Sequence, residues 1–357
     1  MAKSCYVHVP FCDSICSYCD FSRTIAKEAV KEQWLERICD EIQNSRVEHL
    51  STLYFGGGTP SSLNEMQIQK ISSLFQSKLD DVYEWTIECN PESVTESKAK
   101  LYSALGINRI SLGVQSFKDE LLMSIGRKHT KETILRAVSI LKQNKFSNIS
   151  IDLIYALPNQ TLEDVQNDLE QFLALDLPHL SIYSLQIEEN SVFGKQHLDP
   201  VDSELEADMY DFICEFLKAH GYEHYEISSF CKPGMYSRHN LCYWMDEDFI
   251  GIGCGASGRE NGIRYDNDRS LKDYIANGVL RHEQETDGPF EAIMMGLRTM
   301  FGVHLLKFSE KYGFDIKDRY KNVLDKYKNE LTIKEGCLVC TESGFHILNT
   351  ILIDFLE

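Results

Sequence analysis

Apolar and polar positions alternate in two rhythms along the first half of the chain. Short apolar runs are each followed by a longer stretch whose apolar side chains recur every three or four positions. These are the signatures of buried strands and amphipathic helices. Cys5–Val9 reads as a first strand, and Ala26–Asn44 as a helix with Val30, Trp34, Ile38 and Ile42 on one face. Thr52–Phe55, Trp85–Cys89, Arg109–Gly113, Asn148–Tyr155 and His179–Ile187 read as five more strands. Helices are expected between them at Glu65–Leu79, from about Thr95, at Asp119–Ile125 and Thr130–Asn144, and at Leu162–Leu175. Alternation of this kind predicts an α/β fold with a parallel sheet under helices, whose strand C-termini and following loops form the reactive face.

After Ile187 the rhythm changes. Val201–His220 predicts a helix, Tyr222–Ile227 a strand, and Phe249–Ser257 a glycine-rich stretch with Gly251, Gly253 and Gly255. No convincing helix follows that G-x-G-x-G, so a phosphate loop is disfavoured. Pro289–Phe301, Leu305–Tyr312 and Ile316–Tyr327 predict helices, and Leu338–Leu348 a hairpin turning at Glu342-Ser-Gly344. The expected organisation is a catalytic-type unit over residues 1–190, a connecting segment over 191–286 and a C-terminal helical and hairpin unit over 287–357. That last unit looks like a winged helix, yet its charge is mixed.

Composition narrows the function. The 357 residues are 43% apolar and 25% charged, which suits a globular chain of two domains or one barrel with an appendage. With 36 basic against 55 acidic residues the net charge is −19, which argues against a nucleic-acid-binding surface. No apolar run is long enough to span a bilayer, and the N-terminus lacks the pattern of a secretory signal. A cytoplasmic, thiol-reducing location is therefore expected, where the twelve cysteines point to metal or catalysis before disulfides.

Nine cysteines are scattered through apolar contexts and read as small buried hydrophobes. Cys337 and Cys340 form a C-x-x-C, but on an expected strand they face opposite sides. Cys12, Cys16 and Cys19 are different: they form C-x3-C-x2-C in a loop after Pro10 ends the first strand. Three thiolates on one loop suit three corners of a cubane iron–sulfur cluster, leaving the fourth iron open. Zinc bound by the three and His8 is the alternative, although His8 on the preceding strand is poorly placed. Further along, Gly56-Gly57-Gly58 exposes backbone N–H groups, and Glu88, Gln115 and Asp152 lie at or within apolar strands. Polar residues recurring in that way on successive strands suggest a polar cavity.

The cysteine spacing, with Tyr18 before the third cysteine, resembles the signature of radical S-adenosylmethionine (SAM) enzymes. The resemblance implies a [4Fe-4S] cluster on Cys12, Cys16 and Cys19, with SAM on the open iron, and a partial (β/α)6 TIM-like barrel. Longer phrases resemble the oxygen-independent coproporphyrinogen III oxidase-like family from Tyr6 to about Ile187. They are Tyr-x-His-x-Pro-Phe-Cys, Gly-Gly-Gly-Thr-Pro, Glu-x-Asn-Pro-Glu, Gly-Val-Gln-Ser-Phe, Gly-Arg-x-His and Asp-Leu-Ile-Tyr-x-Leu-Pro. Position by position they imply a SAM-binding set of Tyr6, Tyr18, Gly57, Gly58, Thr59, Glu88, Gln115, Arg127 and Asp152. By residue type alone, Arg127 reads as a surface charge at a helix end. The family uses its C-terminal α+β unit as a cap on the barrel.

Two departures separate this chain from the oxidases. Phe21 stands where they carry a fourth cysteine, and only five residues precede Tyr6 where they carry an N-terminal extension. His239-Asn-Leu-Cys-Tyr-Trp244 resembles a motif of the family's haem-chaperone (HemW-type) branch. That branch implies binding of haem and its delivery to respiratory proteins, with bacterioferritin-like proteins as candidate donors. It also implies no nucleic-acid partner, at most peripheral membrane contact, and a monomer or dimer. The branch keeps the radical machinery without an established reaction, so enzymatic turnover stays open. The alternative is the oxidase reaction, which converts two propionates of coproporphyrinogen III to vinyl groups. On the residues themselves, His239 reads equally as a haem ligand or as a loop anchor, with Cys242 and Tyr243 as other candidate ligands.

Overall fold

A computed structural model describes residues 2 to 356. Six strands, β1 (Ser4–Val9), β2 (Leu50–Gly57), β3 (Leu79–Cys89), β4 (Arg109–Gln115), β5 (Asn148–Tyr155) and β6 (His179–Ser184), lie side by side in sequence order, all parallel. Helices α1 (Glu28–Asn44), α2 (Glu65–Ser73), α3 (Glu96–Leu105), α4 (Asp119–Ser124), α5 (Lys131–Gln143) and α6 (Leu162–Ala174) fill the crossovers. Four begin with side-chain caps from Asn64, Thr95, Thr130 and Thr161, each of which accepts a first-turn N–H.

Period-two alternation sorts each strand into an apolar and a polar face. Val7, Leu53, Phe55, Trp85, Ile87, Ile110, Leu112, Ile149, Ile151, Leu180 and Ile182 join one continuous core with Trp34, Ile38 and Ile42 of α1. The positions between them carry Thr52, Tyr54, Glu88, Ser111, Ser150, Asp152 and His179. The polar residues thus recur on one face of the sheet, although none of these seven lines the large cavity.

The stretch 191–286 is more than a connection. After α7 (Val192–Lys195) and α8 (Ser203–Ala219), β7 (Glu223–Glu226) and β8 (Ser229–Cys231) extend the sheet antiparallel beyond β6. Next comes α9 (Arg238–Trp244). The glycine-rich stretch then supplies β9 (Ile250–Ile252), which pairs parallel with β1 at the opposite edge, giving nine strands in order β7-β8-β6-β5-β4-β3-β2-β1-β9. Gly251 is needed there because a Cβ would lie 2.0 Å from the Ser257 carbonyl oxygen.

A second core, from Ala292 to Phe355, belongs to the C-terminal unit. Its hairpin differs from the expectation. The strands are Leu331–Lys334 and Cys337–Cys340, and they turn at Glu335 (φ 51°) and Gly336 (φ 80°). Two residues at positive φ match the right-handed twist of a hairpin. Glu342-Ser-Gly344 instead opens a helix capped by Thr341. The helix expected over 316–327 breaks at Tyr320 into Ile316–Arg319 and Lys321–Lys326, as that ring packs on Phe355 at 5.0 Å.

Candidate functional site

Pro10 ends β1 and the chain closes into a loop: Cys12 N donates to Thr24 O (3.0 Å) and Thr24 N to Pro10 O (2.7 Å). Ser17 ties this loop to its neighbours, donating to Ile125 O at the end of α4 and accepting from Phe193 N of α7. Cys12 and Cys16 are buried, Cys19 is half-buried, and all twelve cysteines are free thiols. Burial pushes the Cys12 thiol up to about 11 and raises that of Cys19. Neither is a ready nucleophile.

Polar contacts link two of these thiols. Cys12 Sγ lies 3.4 Å from Thr59 Oγ1, which accepts from Asn90 Nδ2. Asn90 Oδ1 accepts from Arg127 Nη2 at 2.9 Å, and Arg127 Nη1 donates to Cys16 Sγ at 3.5 Å. Arg127 also donates to Gly113 O at 2.6 Å. The buried Arg127 is therefore part of the cysteine site and not a surface charge. Residue-type reasoning missed it because a helix-end arginine is usually solvated; the family phrase found it.

The triglycine lets β2 approach the loop. A Cβ on Gly58 would lie 2.7 Å from Phe11 O, and Gly57, at φ +112°, would put one 2.6 Å from the His8 ring. Gly58 N and Thr59 N donate instead to Val9 O and Phe11 O. His8 is bonded to Tyr6 OH through Nδ1 and to Ser22 O through Nε2, so it is held away from the cysteines. Among the described residues no three His, Cys, Asp or Glu side chains converge on a point one ion could fill. Thiolates at separate corners of a cubane need no such point.

Glu88 accepts from Tyr54 OH at 2.8 Å and Gly57 N at 3.2 Å, while Asp152 accepts from Ser111 Oγ at 3.1 Å. Burial lifts Glu88 to about 7, its hydrogen bond from Tyr54 opposes this, and the nearby Asp152 adds to the rise. Burial likewise lifts Asp152 to about 6 against the pull of Arg109. Gln115 sits at φ +70° on a break in the β4–β5 register. Its Oε1 and Arg127 Nε are buried without partners. Such orphaned atoms fit a polar ligand that completes them.

A cavity of about 710 Å³ opens at the cysteine loop; of the expected site residues Tyr6, Tyr18 and Cys19 line it, whereas Glu88, Gln115, Arg127 and Asp152 do not. Tyr6, His8, Tyr18, Cys19, Phe21, Tyr183, Tyr243, Trp244 and Phe249 are among its lining. Phe21, in the place of the missing fourth cysteine, is 67% exposed at this mouth. His239 is absent from the lining. It is fully buried, stacked on Tyr54 at 5.0 Å, with Nδ1 2.8 Å from Thr52 Oγ1 and Nε2 2.7 Å from Tyr243 OH. Cys242 is also turned inward, against Ser4 Oγ. Of the three candidate ligands in this motif, the structure brings Tyr243 alone to the cavity. Sequence reasoning passed over Tyr54, Asn90, Ser111 and Tyr183; Asn90 was visible within Glu-Cys-Asn-Pro-Glu, and the others lie in the polar alternation of the strands.

A three-cysteine loop after the first strand of a parallel β/α array, beside a cavity at the strand C-termini, defines the radical SAM class. The Radical SAM superfamily model matches residues 6–172, and the HemN C-terminal domain model matches 284–347. The chain is 37% identical to the Heme chaperone HemW of Lactococcus lactis, over 99% of this chain and 97% of that protein. It is 32% identical to the Heme chaperone HemW of Escherichia coli, over 99% and 98%. The radical SAM coproporphyrinogen III oxidase HemN of Escherichia coli shares the fold, with a TM-score of 0.83 over 99% of this chain and 89% of that one, at 22% identity. The chain belongs to the HemW family.

Proposed function

We propose that the protein is a haem chaperone: it binds haem beside an iron–sulfur and SAM site and hands it to haem-requiring respiratory proteins. The carrying observation is the cavity itself, lined both by Tyr18 and Cys19 of the cysteine loop and by Tyr243 and Trp244 at the end of α9. It belongs to a chain that matches, end to end, proteins named as haem chaperones.

In this reading Cys12, Cys16 and Cys19 would hold a [4Fe-4S] cluster, which supplies single electrons when bound. Tyr6, Tyr18, Gly57, Gly58, Thr59, Glu88, Gln115, Arg127 and Asp152 would form the SAM side. Glu88 and Asp152, once ionised, accept hydrogen bonds from hydroxyl groups. Arg127 offers a guanidinium to thiolate or carboxylate, and Gln115 completes a donor or acceptor pair. The aromatic side chains present flat apolar faces to a porphyrin.

Anaerobically reconstituted protein titrated with haem tests this. Saturable binding near one haem per chain supports the reading, and absence of binding sinks it. Conversion of coproporphyrinogen III by the same preparation with SAM and a reductant would favour the oxidase alternative. At 22% identity, the likeness to HemN speaks for fold and not for that reaction.

A further inference from the structure

Two phrases of the sequence, Glu-x-Asn-Pro-Glu and Gly-Arg-x-His, each end on a residue that the site described so far leaves unused: Glu92 and His129. The fold brings the two together. His129 lies on the turn between α4 and α5, its side chain fully buried, with Nδ1 3.3 Å from Glu92 Oε2 on the turn after β3. Its Nε2 donates to Val114 O at 3.0 Å, since a carbonyl only accepts.

This contact set repeats that of Arg127, two residues earlier. Arg127 reaches the turn after β3 at Asn90 Oδ1 and the end of β4 at Gly113 O. His129 reaches the same turn at Glu92 and the same strand end at Val114. Burial alone would raise the Glu92 carboxyl, but the contact with His129 and the charge of Arg127 hold it below the ordinary carboxylate value. A carboxylate there gives the buried imidazole a polar partner for its second nitrogen.

The strand end that His129 holds is irregular. Val114 falls in the register break between β4 and β5, and β3 pairs with β4 only as far as Leu112. The Val114 carbonyl is instead taken by Ser116 N of its own turn and by His129. The next residue, Gln115, stands at φ +70°. Gln115 and Arg127 carry the orphaned Oε1 and Nε that suit a polar ligand.

Resting on the SAM reading above, we propose that His129, held by Glu92, is a positioning residue for SAM. It sets Gln115 through the Val114 carbonyl, and Arg127 through the turn that both occupy. Both ring nitrogens face protein partners, so His129 acts through these two residues.

The test uses anaerobically reconstituted full-length protein. SAM affinity, and the change SAM causes in the electron paramagnetic resonance spectrum of the reduced cluster, are both expressed per cluster. His129→Ala should weaken SAM binding about tenfold to a hundredfold, the usual effect of losing an outer-layer partner at a metal site, and alter the SAM-bound spectrum. His129→Gln, whose amide can still donate to Val114 O, should recover part of the loss. In a Gln115→Ala background the His129→Ala loss should shrink, because less is left to position. Wild-type affinity and spectrum in His129→Ala, or losses that multiply in full with Gln115→Ala, overturn the assignment and leave the SAM reading intact. A wild-type protein whose cluster spectrum ignores SAM overturns both. Should His129→Ala not fold, Glu92→Gln at the partly exposed partner runs the same cycle. A smaller loss in the same direction is expected there, and no loss overturns the assignment.

Discussion

Glu88 shows what it takes to keep a carboxylate ready for a ligand. Its folded value of about 7 lies above the ordinary 4.5, so the stability it contributes is full below pH 4.5 and is lost as pH rises through 7. The shift corresponds to about 3 kcal/mol at alkaline pH. Glu88→Gln should therefore raise the melting temperature at pH 8 but not at pH 4, and weaken SAM binding at pH 8, where Glu88 is ionised, and not at pH 4. Thermal melts at the two pH values, with and without SAM, check this; equal effects on stability would refute it. Arg127 is the complementary case. Arg127→Met strips donors from Cys16 Sγ, Asn90 Oδ1 and Gly113 O, at about 1–3 kcal/mol for each acceptor left buried and unpaired. Lower iron and sulfide content after reconstitution is the expected outcome, and full cluster loading would contradict it.

At the scale of elements, the triglycine end of β2 is a fitted surface. Gly57→Ala combines positive φ with a clash against the His8 ring, and should cost about 1–3 kcal/mol and disturb the cysteine loop. Gly221→Ala, also at positive φ but with nothing within 4 Å, should leave cluster loading unchanged. Comparing melting temperature and iron content of the two separates fit from backbone strain. The six parallel strands were legible in the sequence because each is a short apolar run followed by an amphipathic helix. β3 begins earlier than its apolar run suggests, since Leu79–Tyr83 is half-exposed and pairs with β2 only through a register break. β9 hid within G-x-G-x-G because its glycines answer to neighbouring backbone, not to a phosphate. The C-terminal hairpin hid because Glu335-Gly336 and Glu342-Ser-Gly344 are both plausible turns, and only Thr341, in place to cap, makes the second a helix start. Within the site, the cysteine triplet and the carboxylates carried their own signal. The burial of His239 carried none, because it depends on α9 packing its imidazole onto Thr52 and Tyr54 of β2, far away in sequence.

Across the whole molecule, two large cores divide the labour, with a small third cluster of Leu121, Ile125, Ile154, Leu157 and Phe193 beside the cysteine loop. The sheet and its helices form one, and residues 292–355 the other, joined to β7 where Ile227 N donates to Arg298 O and Met300 N to Tyr225 O. Ile351 is fully buried in the second core, so Ile351→Ala should cost about 2–5 kcal/mol there. Hydrogen exchange should then quicken across 292–355 while β1–β6 keep their protection; uniform acceleration would mean one cooperative unit. Among the described residues no helix is long and apolar enough to cross a membrane.

A haem chaperone must carry haem for others. The most direct measurement is transfer: haem-loaded, anaerobically reconstituted protein mixed with an excess of an apo-haem protein, followed spectroscopically. Near-stoichiometric loading and movement of haem to the acceptor are expected. Loading that fails, or a preparation that instead turns over coproporphyrinogen III and retains no haem, would contradict the haem-chaperone reading.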